Sequence, residues 1–356
     1  MYAPSAVPVS VIIPVYNCEA TVERAIASAL RQGPEAHEII VVDDASTDRS
    51  PAIVETLAKR DRRVVPIRLP GNGGVGLARN VGLANATGDW VAVLDADDWF
   101  RPERLRTMLL ASKGLDADLL CDNLRLFDHS LGREVGVTRF GSRRSATPIT
   151  VQMLFDLDHA LRRHHLGLTK PMVRAAFLKD SGLVYDSRFH VGEDFLFLAE
   201  AVLNRARAFI LPSADYVYVH RIAPSTRLVS PQSRADTGFS DIRRSCSYLA
   251  GRYWNRMDRR GRRGLARKRR SISDWILYME LLGAVRERQL RKAIKIVARR
   301  PAILAIKIVT IRNRLLDLAM ILRSGLRLWT SARRPQRRRS FLFWKLRGKL
   351  RDTISN

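Results

Sequence analysis

The sequence predicts an α/β fold with a largely parallel sheet flanked by helices, followed by a basic, mainly α-helical C-terminal region. Short apolar runs recur along residues 9–122, and segments with helical spacing separate them, which is the pattern of βαβ units. The second region is distinguished by its positive charge. Residues 1–230 carry 28 basic and 27 acidic side chains, whereas residues 231–356 carry 34 basic and 8 acidic side chains.

The individual elements follow from apolar periodicity and helix-start signals. The predicted strands are 9–15, 38–42, 64–69, 90–94 and 118–122. The predicted helices are one capped by Asn17, one with Ser50 as its N-cap and Pro51 as its first helical residue, and segments 75–85 and 102–113. Beyond them we expect a loop over 125–150, mostly helix over 150–205, extended segments at 209–211 and 216–220, and helix over 231–330 with a break at Pro301.

Composition excludes several classes of protein. The net charge of +27 comes almost entirely from residues 231–356, so this region requires an anionic partner. The three cysteines, Cys18, Cys121 and Cys246, lack metal-ligand spacing and predict a reducing compartment without a disulfide framework. No uncharged apolar stretch approaches about 20 residues, so we expect no membrane span. The apolar run near the N-terminus predicts a strand instead of a signal peptide.

Asp95-Ala96-Asp97 is the most informative motif, because it directly follows an apolar run that predicts a buried strand. Carboxylates at i and i+2 of an extended chain point to the same side, and Asp98 adds a third. Adjacent anions repel, and a hard divalent cation with positions left for phosphate oxygens fits among them. Ligands of open α/β sheets bind beyond the carboxyl ends of the strands. The alternative is a solvated acidic turn.

Other polar residues follow the first three predicted strands. Tyr16 could stack on a base, and Asp44 could accept a hydrogen bond from a base N–H or a ribose hydroxyl, although each alone could be structural. Residues 71–76 contain G-x-G-x-x-G after the third strand instead of the first, so a glycine turn into a helix is the preferred interpretation over a dinucleotide site. Arg79 could reach a phosphate or a surface carboxylate.

A second group of charged residues lies further along the chain. Glu193-Asp194 opens an apolar helical stretch, so it could cap that helix or supply a general base. His220-Arg221 ends an extended run and could place a cation beside a departing diphosphate, or could be a strand-end histidine and a surface charge.

The ordered set of motifs is far more specific than any single member. The segments are VSVIIPVYN (9–17), VVDDASTD (41–48), GLARNVGL (76–83), VAVLDADD (91–98) and VGEDFLF (191–197). Together they resemble glycosyltransferase family 2, whose members are inverting, nucleotide-sugar-dependent enzymes with a GT-A fold. The resemblance covers roughly residues 8–225. Within this family, the chain most resembles bacterial enzymes that extend exopolysaccharide or lipopolysaccharide sugars, including the succinoglycan type.

The resemblance implies a GT-A domain over 1–230, with a nucleotide-binding half (8–125) and an acceptor half (126–230). It also implies roles for individual residues. Those that would frame the uridine are Pro14, Tyr16, Asn17, Glu19 and Asp44. Those expected around the diphosphate are Arg79, Asp95 as a ribose or metal contact, and Asp97 as the ligand of Mn2+ or Mg2+. Those expected on the acceptor side are Asp194 as base, Glu193, His220 and Arg221.

The implied reaction moves one sugar, glucose as the first expectation, from a UDP-sugar to an isoprenoid-diphosphate-linked glycan. The chain lacks the Q-x-x-R-W motif of processive synthases, which argues for single transfers. The basic amphipathic region 231–356 would hold the enzyme on the anionic cytoplasmic face of the membrane. The first expectation includes no nucleic-acid partner. Two alternatives remain: a basic nucleic-acid-binding protein and, less favoured, a dinucleotide-dependent oxidoreductase.

Overall fold

The computed structural model of the protein describes residues 7–157, 165–220 and 235–308. Its strands are β1 (Val9–Val15), β2 (Ala36–Asp43), β3 (Val64–Arg68), β4 (Trp90–Val93), β5 (Trp99–Phe100), β6 (Leu119–Asp128), β7 (Arg133–Val137), β8 (Thr147–Pro148), β9 (Met172–Arg174) and β10 (Ala208–His220). Its α-helices are α1 (Val22–Leu30), α2 (Ser50–Arg60), α3 (Val75–Asn85), α4 (Arg104–Leu115), α5 (Val151–Leu157), α6 (Ala175–Ser181), α7 (Glu193–Leu203), α8 (Ala235–Tyr253), α9 (Arg259–Arg286) and α10 (Leu290–Arg299).

The described strands form one ten-stranded sheet with the order β3-β2-β1-β4-β9-β6-β10-β5, while β7 pairs with β6 and β8 with β10. Strands β1 to β4 pair in parallel, as the alternating pattern predicted. The short strand β9 is antiparallel to both of its neighbours, β4 and β6. The carboxyl ends of β1, β2 and β4 therefore share one edge of the sheet, and the loops that follow them meet there.

Strands β1 and β4 lie in the middle of the sheet and are buried along their whole length. Every residue of β1 is buried, and α3 packs directly on this strand. A Cβ atom at Gly82 would lie 2.4 Å from a methyl group of Ile12, so only glycine permits this approach of helix to strand.

Two predicted helix starts are wrong. Asn17 caps no helix: it has a positive φ of 52°, and the first helix begins at Val22. Ser50 lies inside α2 instead of at its N-cap, and Arg49 precedes that helix. The loop after β1 instead uses polar groups to contact the loop after β2, as described below.

The interpretation of residues 125–150 as a loop is also wrong. Strand β6 continues to Asp128, and β7 and β8 follow it. The segments predicted as separate extended pieces, 209–211 and 216–220, belong to the single strand β10, which changes register between Leu211 and Tyr216. The mostly helical prediction for 150–205 missed β9. Short antiparallel strands gain stability from their neighbours in the sheet, and local periodicity does not show those neighbours.

The predicted helices of the basic C-terminal region are confirmed as far as residue 308, with the break at Pro301. Helix α8 and the first half of α9 share the main apolar core with the sheet domain, through residues such as Cys246, Leu249 and Leu265. The predicted domain boundary at 230 and residues 309–356 lie outside the described residues. Among the described helices, none is both long enough and apolar enough to cross a membrane.

Candidate active site

The residues expected to contact a nucleotide lie at the shared carboxyl edge of β1, β2 and β4. Tyr16 directly follows β1, and its side chain is 36% exposed, so its ring is accessible at this edge. Asp44 follows β2 and is buried, and Asp95 comes shortly after β4. Pro14 is a buried residue of β1 and pairs with Val42. The sheet therefore brings together at one edge residues that are up to 81 positions apart in the sequence.

Asp44 organises the glycine-rich loop that leads into α3. Its carboxylate oxygens accept hydrogen bonds from the backbone N–H groups of Gly73 at 2.7 Å and Gly74 at 2.8 Å. Gly74 has a φ of 85°, which favours glycine. A dinucleotide site would need such amides for a pyrophosphate, but here a carboxylate of the chain itself occupies them. This arrangement argues against the oxidoreductase alternative.

Asn17 and Glu19 connect the loop after β1 to the loop after β2. The side-chain carbonyl of Asn17 accepts a hydrogen bond from the N–H of Thr47 at 2.8 Å. The carboxylate of Glu19 accepts one from the N–H of Arg49 at 3.0 Å, and its own N–H donates to Asp48. In each contact a backbone N–H of one loop donates to a side chain of the other loop. These contacts therefore fix the shape of the edge where the nucleotide is expected to bind.

Asp95, Asp97 and Asp98 form a compact acidic cluster after β4. One carboxylate oxygen of each lies within 4.8 Å of those of the other two. Asp98 is 1% exposed and accepts hydrogen bonds from the Tyr216 hydroxyl and the Val219 N–H, both at 2.8 Å. Burial, together with the charges of Asp97 and Asp95, raises the pKa of Asp98 well above its usual range. Asp98 therefore joins the turn to β10.

The donor set of this cluster fits a hard divalent cation. Such ions take carboxylate oxygens, and Mg2+ or Mn2+ sites commonly combine one or two carboxylates with phosphate oxygens and water. Asp95 and Asp97 are partly exposed at the nucleotide edge, whereas the hydrogen bonds of Asp98 point into the fold. The residues that would hold Mn2+ or Mg2+ are therefore Asp97 and Asp95, and their role as metal ligands stays a prediction.

A ring of ion pairs joins Asp95 to Asp194 at the start of α7. The guanidinium of Arg79 donates to Asp95 at 2.8 Å and to Asp194 at 2.7 Å, and it also contacts Glu193 at 3.1 Å. On the other side, the Lys170 ammonium lies 2.9 Å from Asp95 and 2.5 Å from Asp194. Both carboxylates therefore have one oxygen on Arg79 and the other on Lys170.

The ring is largely withdrawn from water, with side-chain exposures of 2% for Arg79, 5% for Lys170 and 10% for Asp194. Burial by itself would lower the pKa of Lys170, but the carboxylates of Asp194 and Asp95 outweigh it and raise this pKa above its usual range. Burial would likewise raise the pKa of Asp95, but Lys170 and Arg79 bring it below its usual range. Burial and the neighbouring Asp194 raise the pKa of Glu193.

The structure thus brings together five residues that the sequence singled out: Arg79, Asp95, Asp97, Glu193 and Asp194. Arg79 was expected beside the nucleotide or diphosphate, and its guanidinium donates to Asp95, Glu193 and Asp194. His220 is the last residue of β10, but its side chain and the whole of Arg221 lie outside the described residues.

Sequence reasoning missed Lys170, the second cation of the ring. It also missed Tyr216, whose hydroxyl donates to Asp98 and accepts from the Asp95 N–H at 3.1 Å. A signal for Lys170 does exist in the sequence. It is a single basic residue immediately before the buried segment Pro171-Met172-Val173, and buried lysines are rare unless they are paired.

Comparison with known proteins agrees with this geometry. Residues 10–177 match the family model described as glycosyl transferase family 2. The succinoglycan biosynthesis proteins ExoO and ExoU of Rhizobium meliloti are each 35% identical to the chain, over 222 and 228 residues. These alignments cover 62% of this chain and 63% and 64% of the two relatives, so the chain spans less than two thirds of their length.

A solved structure shows the fold. The crystal structure of residues 1–349 of Staphylococcus aureus TarS superimposes with a TM-score of 0.56, covering 89% of this chain and 92% of TarS 1–349 at 23% identity. The same protein has been crystallised with UDP-GlcNAc, and that structure gives a TM-score of 0.57. The likeness confirms the predicted GT-A fold.

Proposed function

We propose that the chain, whose residues 10–177 match the model of glycosyl transferase family 2, is an enzyme of that family. It would transfer one sugar from a UDP-sugar to a lipid-linked glycan during bacterial surface polysaccharide synthesis. The observation that carries this proposal is the ring of Arg79, Asp95, Lys170 and Asp194. It connects an acid at the nucleotide edge with an acid at a helix start, as a reaction between a bound donor and an acceptor hydroxyl requires.

The donor binds at the edge formed by β1, β2 and β4. Tyr16 stacks on the uracil, and the loops fixed by Asn17, Glu19 and Asp44 shape the pocket around the nucleoside. Asp97 and Asp95 would hold Mn2+ or Mg2+, which when bound would neutralise charge on the diphosphate. Glucose is the first expected sugar, followed by galactose and N-acetylglucosamine. The relatives' names support sugar transfer into polysaccharides, and the TarS complex supports a UDP-sugar donor.

Asp194 is the proposed general base. Arg79 and Lys170 each bind one of its oxygens, but every carboxylate oxygen carries two acceptor positions, so the group can still accept the proton of an attacking hydroxyl. The two cations fix the orientation of the carboxylate, and Glu193 lies beside it on the acceptor side. Attack on the face opposite the departing UDP converts an α-linked donor into a β-linked product in one displacement.

The acceptor is proposed to be an isoprenoid-diphosphate-linked glycan at the cytoplasmic face of the membrane. Support for a peripheral membrane position comes from α10, where Leu290 and Ile294 are 72% and 60% exposed and Arg291 and Lys292 lie between them in the sequence. An exposed apolar strip flanked by cations is typical of a helix that lies in an anionic interface.

A panel of UDP-sugars tests this proposal through protection against thermal unfolding, with and without Mn2+ or Mg2+. A ligand at about 100 times its Kd stabilises a protein by about 2.7 kcal/mol, which gives a measurable rise in Tm. We expect one UDP-sugar to raise Tm in a metal-dependent way. Failure of every UDP-sugar, together with salt-dependent binding of DNA or RNA, would contradict the proposal in favour of the nucleic-acid alternative.

A further inference from the structure

We propose that a groove between α8 and α9 binds the phosphate end of the lipid that carries the acceptor glycan, an inference that rests on the proposed function. The groove contains a cavity of about 400 Å3. Its lining residues are Arg243, Arg244, Ser247, Arg269 and Ser273. It is therefore a concave site with three guanidinium groups and two hydroxyls, and none of its lining residues is acidic.

The charge of this cavity is only partly balanced by the protein. Arg244 pairs with Asp241 at 3.1 Å. Within the described part of the chain, no acidic side chain forms an ion pair with Arg243 or Arg269. Guanidinium groups bind phosphate oxygens through paired N–H donors, and several of them around one cavity match the multiple charges of a diphosphate.

A second, more apolar cavity of about 520 Å3 adjoins the first, and the two share Arg269 and Ser273 in their linings. Its apolar lining includes Cys246, Ala250 and Leu265, and its polar lining includes the ion pair of Asp274 with Arg300. One molecule with a charged head and a hydrocarbon chain can therefore place its head among the arginines and its chain in the neighbouring cavity. A free phosphate would use only the first cavity, so this pairing favours a lipid.

The position of the groove links it to the candidate base. In the second turn of α8, Asp241 accepts a hydrogen bond from the N–H of His190 at 3.0 Å. One turn further along, Arg244 donates to the carbonyl of Arg188 at 2.8 Å. The contacted loop leads directly into Glu193 and Asp194. A phosphate bound beside Arg244 is thus held at a defined position relative to Asp194, as an acceptor lipid requires and a bulk membrane lipid does not.

Vesicle flotation of the full chain tests the groove. Phosphatidylcholine vesicles would carry either a long-chain polyprenyl diphosphate or phosphatidylglycerol at equal total charge. We expect the chain to bind the polyprenyl diphosphate vesicles more tightly, and R243Q/R269Q to lose about tenfold or more of that binding. The matched control is R260Q/R263Q, which removes two exposed arginines of α9 that do not line either cavity. This control should keep the preference.

Three results would overturn the inference: equal binding to both vesicle types, equal losses in the two double variants, or full competition by inorganic phosphate. Thermal unfolding of each variant checks that it folds. UDP-sugar protection, measured in parallel, separates the two proposals. Intact protection with no vesicle preference overturns only the groove, whereas absent protection in the wild type contradicts the proposed function and with it the acceptor role of the groove.

Discussion

Two acidic clusters meet in this site, and their surroundings differ. Asp95, Asp97 and Asp98 follow a strand at a partly exposed edge, where only carboxylates contribute to the candidate metal site. Glu193 and Asp194 begin a helix in a buried setting, beside two cations of the protein. The first arrangement suits binding of an external cation and a diphosphate, and the second suits the positioning of a single carboxylate. Arg79 and Lys170 contact Asp95 as well as Asp194, so the two cations join the clusters. The clusters differ in exposure, because Asp95 and Asp97 are partly exposed whereas Asp194 is 10% exposed.

The largest effect is expected at Asp194. Asp194→Asn keeps the shape of the side chain but removes the proton acceptor, so the transfer rate should fall about 10²–10⁴-fold. The measurement is the single-turnover rate with saturating donor. Asp180→Asn, at an exposed position of α6, serves as the control and should leave the rate unchanged. A rate near that of the wild type in Asp194→Asn would show that another residue is the base.

Substitutions of Lys170 test how much its two ion pairs, with Asp95 and Asp194, contribute to stability. Lys170→Met leaves Asp95 and Asp194 with one cation fewer in a buried setting, and breaking such a pair costs about 3–5 kcal/mol of unfolding free energy. Lys170→Arg keeps the charge and should lose less. Urea unfolding of both variants gives the difference. If the two variants were equally stable, the charge of Lys170 would not be what stabilises the ring.

A substitution of Tyr16 tests the proposed donor site at the edge formed by β1, β2 and β4, which does not include the proposed base Asp194. Tyr16→Ala removes the aromatic surface beside the nucleoside, and loss of base stacking typically weakens binding by about 1–3 kcal/mol. Tyr16→Phe keeps the ring and should bind UDP nearly as well as the wild type. Calorimetric titration with UDP distinguishes them. Unchanged affinity in Tyr16→Ala would place the uracil elsewhere.

The smallest effect is expected at Glu193, whose pKa is shifted in the opposite direction to that of Asp95. A raised folded pKa favours folding below the unfolded pKa, and this advantage disappears as the pH rises through the folded pKa. Glu193→Gln should therefore raise the unfolding free energy slightly at about pH 7.5, with the difference vanishing towards about pH 4. Urea unfolding at both values measures it, and a larger gain at the lower pH would contradict the sign.

For Asp95 the sign is reversed, because its folded pKa lies below the unfolded one. Its contribution to stability is present above the unfolded pKa and disappears as the pH falls through the folded pKa. Asp95→Asn should accordingly destabilise the metal-free protein at about pH 7.5, whereas Glu193→Gln should not. Equal effects of the two substitutions would remove the electrostatic distinction between the clusters.

Much of this site could be predicted from the sequence, because its acids directly follow strands or begin a helix. The parallel order of β1, β2 and β4 then places Tyr16, Asp44 and Asp95 at one edge. Lys170 could not be predicted in this way. It reaches Asp95 because β9 runs antiparallel to β4, with Met172 opposite Ala92. That pairing joins segments about 80 residues apart, and no local pattern specifies it.

We propose that the two acidic clusters have separate tasks, with Asp97 serving donor binding and Asp194 serving proton transfer. Calorimetric titration of UDP in the presence of Mn2+ tests it most directly, using Asp97→Ala and Asp194→Asn beside the wild type. We expect Asp97→Ala to lose most of the metal-dependent affinity and Asp194→Asn to bind UDP like the wild type. The opposite pattern, with affinity lost in Asp194→Asn and kept in Asp97→Ala, would contradict it.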